Sequence, residues 1–270
     1  MKILLSFFLL FILFACSPHS NSILNNYSSS DLERIFESEK INGCFTIYDL
    51  KNDARLSFNE ERLDSTFLPA STFKILNSMI ALETGVIKDE KEIIKWDSIN
   101  RSYDEWNKDQ NLESGLKYST VWAYQELARR IGEKRMKYWV EASNYGNKNI
   151  NGGIDVFWLK GDIRISPNQQ IDFLQKLYFN QLPFSQKNQE IVKKIMIIEQ
   201  TPDYTIRAKT GWAARINNQI GWYVGYLEKG ENVYFFAINI DIKNSDDAPK
   251  RKIIVSKILD HLQLTKQEKS

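Results

Sequence analysis

Residues 220–241 read IGWYVGYLEKGENVYFFAINID. Two runs rich in aromatic and β-branched residues, Ile220–Leu227 and Val233–Asp241, flank the polar break Glu228-Lys229-Gly230-Glu231-Asn232. Such residues suit strands, and a break of that composition suits the turn between them. Tyr204–Thr210 adds a strand just before. The same signal returns near the N-terminus, in Cys44–Leu50 and Ala54–Asn59, joined by the hairpin turn Lys51-Asn52-Asp53. From Ser71 to about residue 200 the pattern is helical instead, over Ser71–Thr84, Ser119–Ile131, Glu133–Ser143, Pro167–Phe179 and Ser185–Ile197. Pro167 suits a first helical turn with Ser166 before it as cap. A last helix spans Pro249 to Leu262. Strands that follow one another with no helix between them predict an antiparallel sheet. The fold class is therefore α+β: one sheet built from both chain ends, flanking helices and a helical insertion. The sheet part takes 27–68 and 203–265 and the helical part 69–202, and ligands tend to bind where two such parts meet.

Composition narrows the function. The chain has 270 residues, room for one large domain or two small ones. Its formal net charge is +2 and its Lys and Arg are scattered, which argues against a nucleic-acid partner. The two histidines, His19 and His261, lie near opposite ends. A Ser-His-Asp triad or a His-rich zinc site is hard to build from them, and no metal is expected. There is no G-x-S-x-G elbow, and Lys209-Thr210-Gly211 lacks the upstream glycines of a phosphate loop. An enzyme with this sequence needs a base other than histidine.

The N-terminus reads as a targeting segment. Lys2 precedes the apolar run Ile3–Phe14, too short for an ordinary membrane span and suited to a signal-peptide core. Leu13-Phe14-Ala15-Cys16 resembles a bacterial lipobox with Cys16 as the lipidated residue. Residues 1–16 are thus expected to be a lipoprotein-like signal and 17–26 a polar linker. Simple cleavage near Ala15 is the other reading. Export to the periplasm, with lipid anchoring to a membrane, follows as an expectation. The only other cysteine is Cys44, in an alternating run where a small buried hydrophobe is expected.

Ser71-Thr72-Phe73-Lys74 supplies a different chemistry. The helix it opens is apolar nearly all round and so is expected to be buried. Ser71 and Lys74 are three apart and share one face. Burial disfavours the ammonium form of lysine, and a neutral amine beside a hydroxyl can act as its base. Ser71 at the helix start also gains from the positive end of the helix dipole. The plain alternative is that Ser71 caps the helix and Lys74 reaches to solvent.

Further motifs bear on that choice. Pro69-Ala70-Ser71-Thr72-Phe73-Lys74-Ile75, Ser119-Thr120-Val121, Tyr145-Gly146-Asn147, Trp158-Leu159-Lys160-Gly161, Gln170-Ile171-Asp172-Phe173-Leu174 and Lys209-Thr210-Gly211 follow one another in order. Together they resemble the class D (oxacillinase-type) serine β-lactamases, from about residue 40 to 262. The resemblance implies a β-lactamase/transpeptidase-like fold and hydrolysis of β-lactams through an acyl-enzyme on Ser71. It implies that Lys74 is carboxylated by carbon dioxide to N6-carboxylysine and is the general base, with no other cofactor. Trp158 matches the indole that stabilises the carbamate, although core packing alone would also explain it. Val121 and Leu159 match the apolar pair that shields it. Ser119 matches the hydroxyl that passes a proton toward the lactam nitrogen, and it can also cap its helix. Lys209 and Thr210 match the strand side chains that hold the substrate carboxylate, and Gly211 lets substrate approach the backbone. Ser71 and Trp212 match the backbone N–H donors of an oxyanion hole. Arg251 matches a carboxylate-binding guanidinium, with a register slip within Lys250-Arg251-Lys252 or a solvated helix face as alternatives. Tyr145-Gly146-Asn147 reads as a shaped structural loop. Tyr103, Trp106 and Trp122 either border the pocket or pack, and Ala213–Gln219 joins two strands beside it.

The expected partners are β-lactam small molecules and water, with a homodimer left open. The rival readings are a penicillin-sensing receptor domain that acylates without turnover and a cell-wall peptidase.

Overall fold

Strand β1, Gly43–Asp49, sits inside the sheet because its side chains are apolar on both faces, and six of its seven residues are buried. The protein is described by a computed structural model covering residues 22–265. Helix α1 (Ser29–Ser38) precedes β1; β2 (Ala54–Phe58) and α2 (Glu60–Asp64) follow it. A 3-10 turn, Ala70–Phe73, leads into α3 (Lys74–Glu83). Then come α4 (Leu112–Lys117), α5 (Val121–Ile131), α6 (Glu133–Ala142), α7 (Phe157–Lys160), α8 (Pro167–Tyr178) and α9 (Gln186–Ile195). Strands β3 (Ile197–Gln200), β4 (Tyr204–Trp212), β5 (Ile220–Lys229) and β6 (Asn232–Asp241) close the sheet, and α10 (Lys250–His261) is the last helix of the described chain.

The sheet order is β2-β1-β6-β5-β4-β3, antiparallel at every pairing. The N-terminal hairpin joins the C-terminal strands through β1 and β6, as expected of a sheet made from both ends. Alternate side chains on a strand point to opposite faces, and β5 shows it. Trp222, Val224 and Tyr226 enter the core shared with α3, α5 and α8, whereas Tyr223 and Leu227 enter the core under α1 and α10. Two apolar layers therefore clamp one sheet, which is why β5 and β6 are buried almost throughout.

Several boundaries differ from expectation. The helix expected to begin at Ser71 starts as a 3-10 turn and becomes α-helical only at Lys74. The helix expected from Ser119 begins at Val121 with Thr120 as its cap residue. Ser119 is therefore not the cap; it stands in the left-handed region at φ 56°. Ile197 starts an edge strand instead of ending a helix. The polar linker expected over 17–26 is docked chain from Ser22 onward. Ser22 Oγ donates to buried Asp49 over 2.5 Å, and Leu24 is buried. The signal segment and Cys16 lie outside the described residues. Ser166 and Gln169 form the expected cap around Pro167, and Cys44 is buried, its thiol pushed up to about 12 by burial.

Candidate active site

Helix α3 runs through the middle of the larger core, and every residue from Lys74 to Leu82 is buried. The turn that starts it is strained. Ala70 has φ 49°, a conformation that costs a residue with a Cβ about 1–3 kcal/mol and persists only where the surroundings enforce it. Phe73 is one enforcing group. It stacks on Trp158 at 5.5 Å and meets Phe157 and Tyr145 edge-on at 4.9 and 5.6 Å. Held this way, the turn leaves Ser71 only 9% exposed.

Lys74 is fully buried, and its Nζ lies 2.9 Å from Ser71 Oγ. Burial pushes the lysine pKa well below its usual range, and the charges of Lys209 and Arg215 push it the same way. Among the described residues no carboxylate offsets these effects. The Tyr124 ring faces the amine, with Nζ 5.2 Å from its centroid. Tyr124 is itself fixed, because its hydroxyl and Ser78 Oγ are 2.8 Å apart while Ser78 Oγ donates to the Lys74 carbonyl. A solvent-reaching Lys74 is thereby excluded.

Trp158, on α7, is buried, and its Nε1–H has no partner among the described residues. An orphaned buried donor costs roughly 1–3 kcal/mol. Leu159 beside it is buried, and Val121, at the start of α5, is half-buried against the same core.

Strand β4 supplies the second wall. Lys209 is 4% exposed, with Nζ 3.4 Å from Thr210 Oγ1. Burial first, then Arg251 and Lys252, lower its pKa to about 7. Gly211 is where the strand touches the Ser71 turn. A Cβ there would lie 3.0 Å from the Pro69 carbonyl oxygen and 3.2 Å from Thr72 Cγ2. The Ala213 N–H donates to the Ile220 carbonyl on β5. Antiparallel parity then turns the Trp212 N–H away from β5, toward the edge that β3 leaves uncovered.

Arg251 reaches the sheet from α10. A Cβ on Gly221 would meet its Cδ at 3.2 Å, and its guanidinium donates to the Ala248 carbonyl. Its Nε is buried without a partner among the described residues, and burial lowers its pKa to about 10.

The structure thus brings Ser71, Lys74, Lys209, Thr210, Gly211 and Arg251 to one end of the sheet. Ser119 forms no hydrogen bond with Ser71, Lys74 or Lys209 among the described residues; its N–H donates to the Leu116 carbonyl over 3.3 Å. Trp122 packs, donating to the Trp106 carbonyl over 2.8 Å, whereas Tyr103 is 58% exposed beside Trp106. In Tyr145-Gly146-Asn147 a structural role is visible, since a Cβ on Gly146 would collide with the Arg164 carbonyl and the Asn147 N–H donates to that oxygen. Sequence reasoning missed Ser78, Tyr124 and Arg215. Ser78, four residues after Lys74, and Tyr124, three after Val121, were legible as helix-face neighbours.

Comparison with known proteins agrees with this geometry. The penicillin binding protein transpeptidase domain family matches residues 43–260. β-Lactamase OXA-48 of Klebsiella pneumoniae is 47% identical over 234 residues, which cover 87% of this chain and 86% of that protein. β-Lactamase OXA-5 of Pseudomonas aeruginosa is 41% identical over 255 residues, covering 93% and 94%. Among solved structures, a class D β-lactamase YbXI from Nostoc is 49% identical with TM-score 0.84, covering 86% of this chain and 98% of that one. FUS-1 (OXA-85), a class D β-lactamase from Fusobacterium nucleatum subsp. polymorphum, is 42% identical with TM-score 0.86, covering 89% and 100%.

Proposed function

This chain belongs to the class D β-lactamases, and from that premise we propose that it opens the lactam amide of β-lactams with Ser71 as nucleophile and Lys74 as base. The observation that carries the reading is the 2.9 Å contact between Ser71 Oγ and a fully buried Lys74 Nζ.

A lysine held neutral by burial accepts the Ser71 proton, and Ser71 Oγ attacks the lactam carbonyl. The backbone N–H groups of Ser71 and Trp212 receive the developing oxyanion. Removing one such donor typically costs about 10²–10³ in rate. The C–N bond breaks as the proton that Lys74 accepted passes through the Ser119 hydroxyl to the ring nitrogen, leaving an ester on Ser71 and Lys74 neutral again. Water then hydrolyses that ester. Lys209, Thr210 and Arg251 supply the positive charge and hydroxyl that a substrate carboxylate needs.

The residues around Lys74 suit a carboxylated side chain. A neutral amine can add carbon dioxide where an ammonium cannot, the Trp158 N–H is an unused donor, and Val121 and Leu159 keep the surroundings apolar. A carboxylate on Lys74 would supply an anionic base for acylation and for the water that clears the ester.

The test is steady-state hydrolysis of a simple penicillin by the mature protein, with and without added bicarbonate. Turnover that rises with bicarbonate supports both parts of the reading. A stoichiometric acyl-protein without turnover in either condition overturns it in favour of a penicillin sensor.

A further inference from the structure

Two sequence motifs have no part in the chemistry above: Tyr145-Gly146-Asn147 and Gln170-Ile171-Asp172-Phe173-Leu174. The structure places both against the turn that carries Ser71. Gln170 and Phe173 are three apart on α8 and so share a face. The Gln170 Nε2 donates to Thr72 Oγ1 over 2.9 Å, and Thr72 Oγ1 donates to the Pro69 carbonyl over 2.8 Å. Phe173 meets Tyr145 edge-on at 5.0 Å, and Tyr145 meets Phe73 edge-on at 5.6 Å. One helix face therefore grips the turn twice, by hydrogen bonds at Thr72 and by rings at Phe73. Thr72, Phe73, Tyr145 and Gln170 are each no more than 1% exposed. Burial raises the Tyr145 phenol, with neighbouring Thr72 and Gln170 pulling it back. Buried polar chains of this kind rigidify what they hold.

The strained residue, Ala70, lies between Pro69 and Thr72, the two residues that the second link of the Gln170–Thr72–Pro69 chain ties together. We propose that Gln170 is a positioning residue: through Thr72 it holds the left-handed turn at Ala70, so that the N–H and Oγ of Ser71 stay aimed at the reacting carbonyl. The proposal rests on Ser71 being the nucleophile. It places the effect on bond formation at Ser71 and not on capture of the substrate carboxylate, which belongs to β4 and α10.

Single-turnover acylation by a penicillin, followed by intact mass, tests it on Ser71→Ala, Gln170→Leu, Thr72→Val and Thr72→Ser. A boronic acid that bonds Ser71 gives a second readout of alignment. Gln170→Leu and Thr72→Val should acylate about 10–100-fold more slowly, the loss expected from a displacement of up to about 1 Å. They should lose boronate affinity in parallel, while the dissociation constant for intact penicillin stays within about twofold. Thr72→Ser, which restores the hydroxyl, should recover most of the rate lost in Thr72→Val. Should Gln170→Leu fail to fold, the Thr72 pair decides. Acylation at the wild-type rate by the folded variants, or a loss that follows the melting temperature with Ser no better than Val, overturns the proposal. An acyl adduct on Ser71→Ala would instead overturn the assignment of the nucleophile.

Discussion

A Cβ built on Gly211 would lie 3.0 Å from the carbonyl oxygen of Pro69, so strand β4 and the turn before Ser71 are in backbone contact. The same Cβ would stand 3.2 Å from Thr72 Cγ2 and from Trp222 Cβ, with Trp222 tied to the Leu68 carbonyl by a 2.8 Å hydrogen bond from its indole. The space between the Lys209–Thr210 wall and Ser71 is thus set by a missing side chain. Gly211→Ala must push the two apart by a few tenths of an ångström. Overpacking of this kind costs about 1–3 kcal/mol, and the displacement falls on the reacting groups. Turnover should fall roughly tenfold or more. Paired melting curves and kcat measurements check this, and an alanine variant with unchanged kcat would show that the contact does not set the site.

Lys74→Ala removes the only group within hydrogen-bonding distance of Ser71 Oγ among the described residues. General-base catalysis is typically worth about 10²–10⁴-fold. Acylation by a penicillin should fall by that order, and added bicarbonate should restore nothing. Stopped-flow acylation rates decide it; wild-type rates in the alanine variant would remove Lys74 from the mechanism.

How much of this was legible in the sequence depends on what imposed each feature. The Ser71–Lys74 pairing was legible because it needs only helical spacing and an apolar helix. The sheet was legible because β5 and β6 are buried on both faces and carry the residues that demand. The strain at Ala70 was not, because the Gln170–Thr72 chain and the Gly211 contact that surround it come from segments about 100 and 140 residues away. Strand β3 was hidden because Ile195-Met196-Ile197-Ile198 continues the apolar pattern of α9 without a breaker. Its extended form comes from pairing with Thr205–Arg207. The helix was expected to begin at Ser119, two residues before its observed start at Val121, for a similar reason. The left-handed backbone of Ser119 is set by the Leu116 and Gly115 carbonyls accepting from Ser119 and Thr120, local bonds that no side-chain pattern announces. Arg251 was one of three neighbouring cations, and only packing against Gly221 shows which of them turns to the sheet.

Trp158 tests the carboxylated-lysine reading. Its ring stacks on Phe73 with an interplanar angle of 22°, which phenylalanine can approximate, but its unused N–H cannot be replaced. A hydrogen bond to a charged group is worth about 1.5–3 kcal/mol, or roughly 10–100-fold in the population of a carbamate on Lys74. Trp158→Phe should lose turnover at ambient carbon dioxide and regain part of it with bicarbonate. Carbon-13 NMR of the protein in labelled bicarbonate reads the carbamate directly. Equal carbamate signals in variant and wild type would leave Trp158 as core packing alone.

The pH dependence follows from Lys209. Burial, Arg251 and Lys252 hold it at about 7 in the folded protein, against 10.5 for an ordinary lysine. Between those values the unfolded chain binds more protons than the folded one, so stability should rise with pH from about 7 to about 10. Lys74, lowered by its own burial, adds to the slope in the same direction. Lys209→Met should flatten part of that rise in urea midpoints measured at pH 7 and pH 9.5. Activity should have the opposite sign, because in the proposed mechanism a deprotonated Lys209 no longer attracts the substrate carboxylate. The profile of kcat/KM, which reports the free enzyme, should fall on its alkaline side from about pH 7. Lys209→Arg, whose guanidinium keeps its charge across this range, should lower the whole curve yet move that fall to higher pH. A variant profile with the same alkaline fall would assign it to some other group.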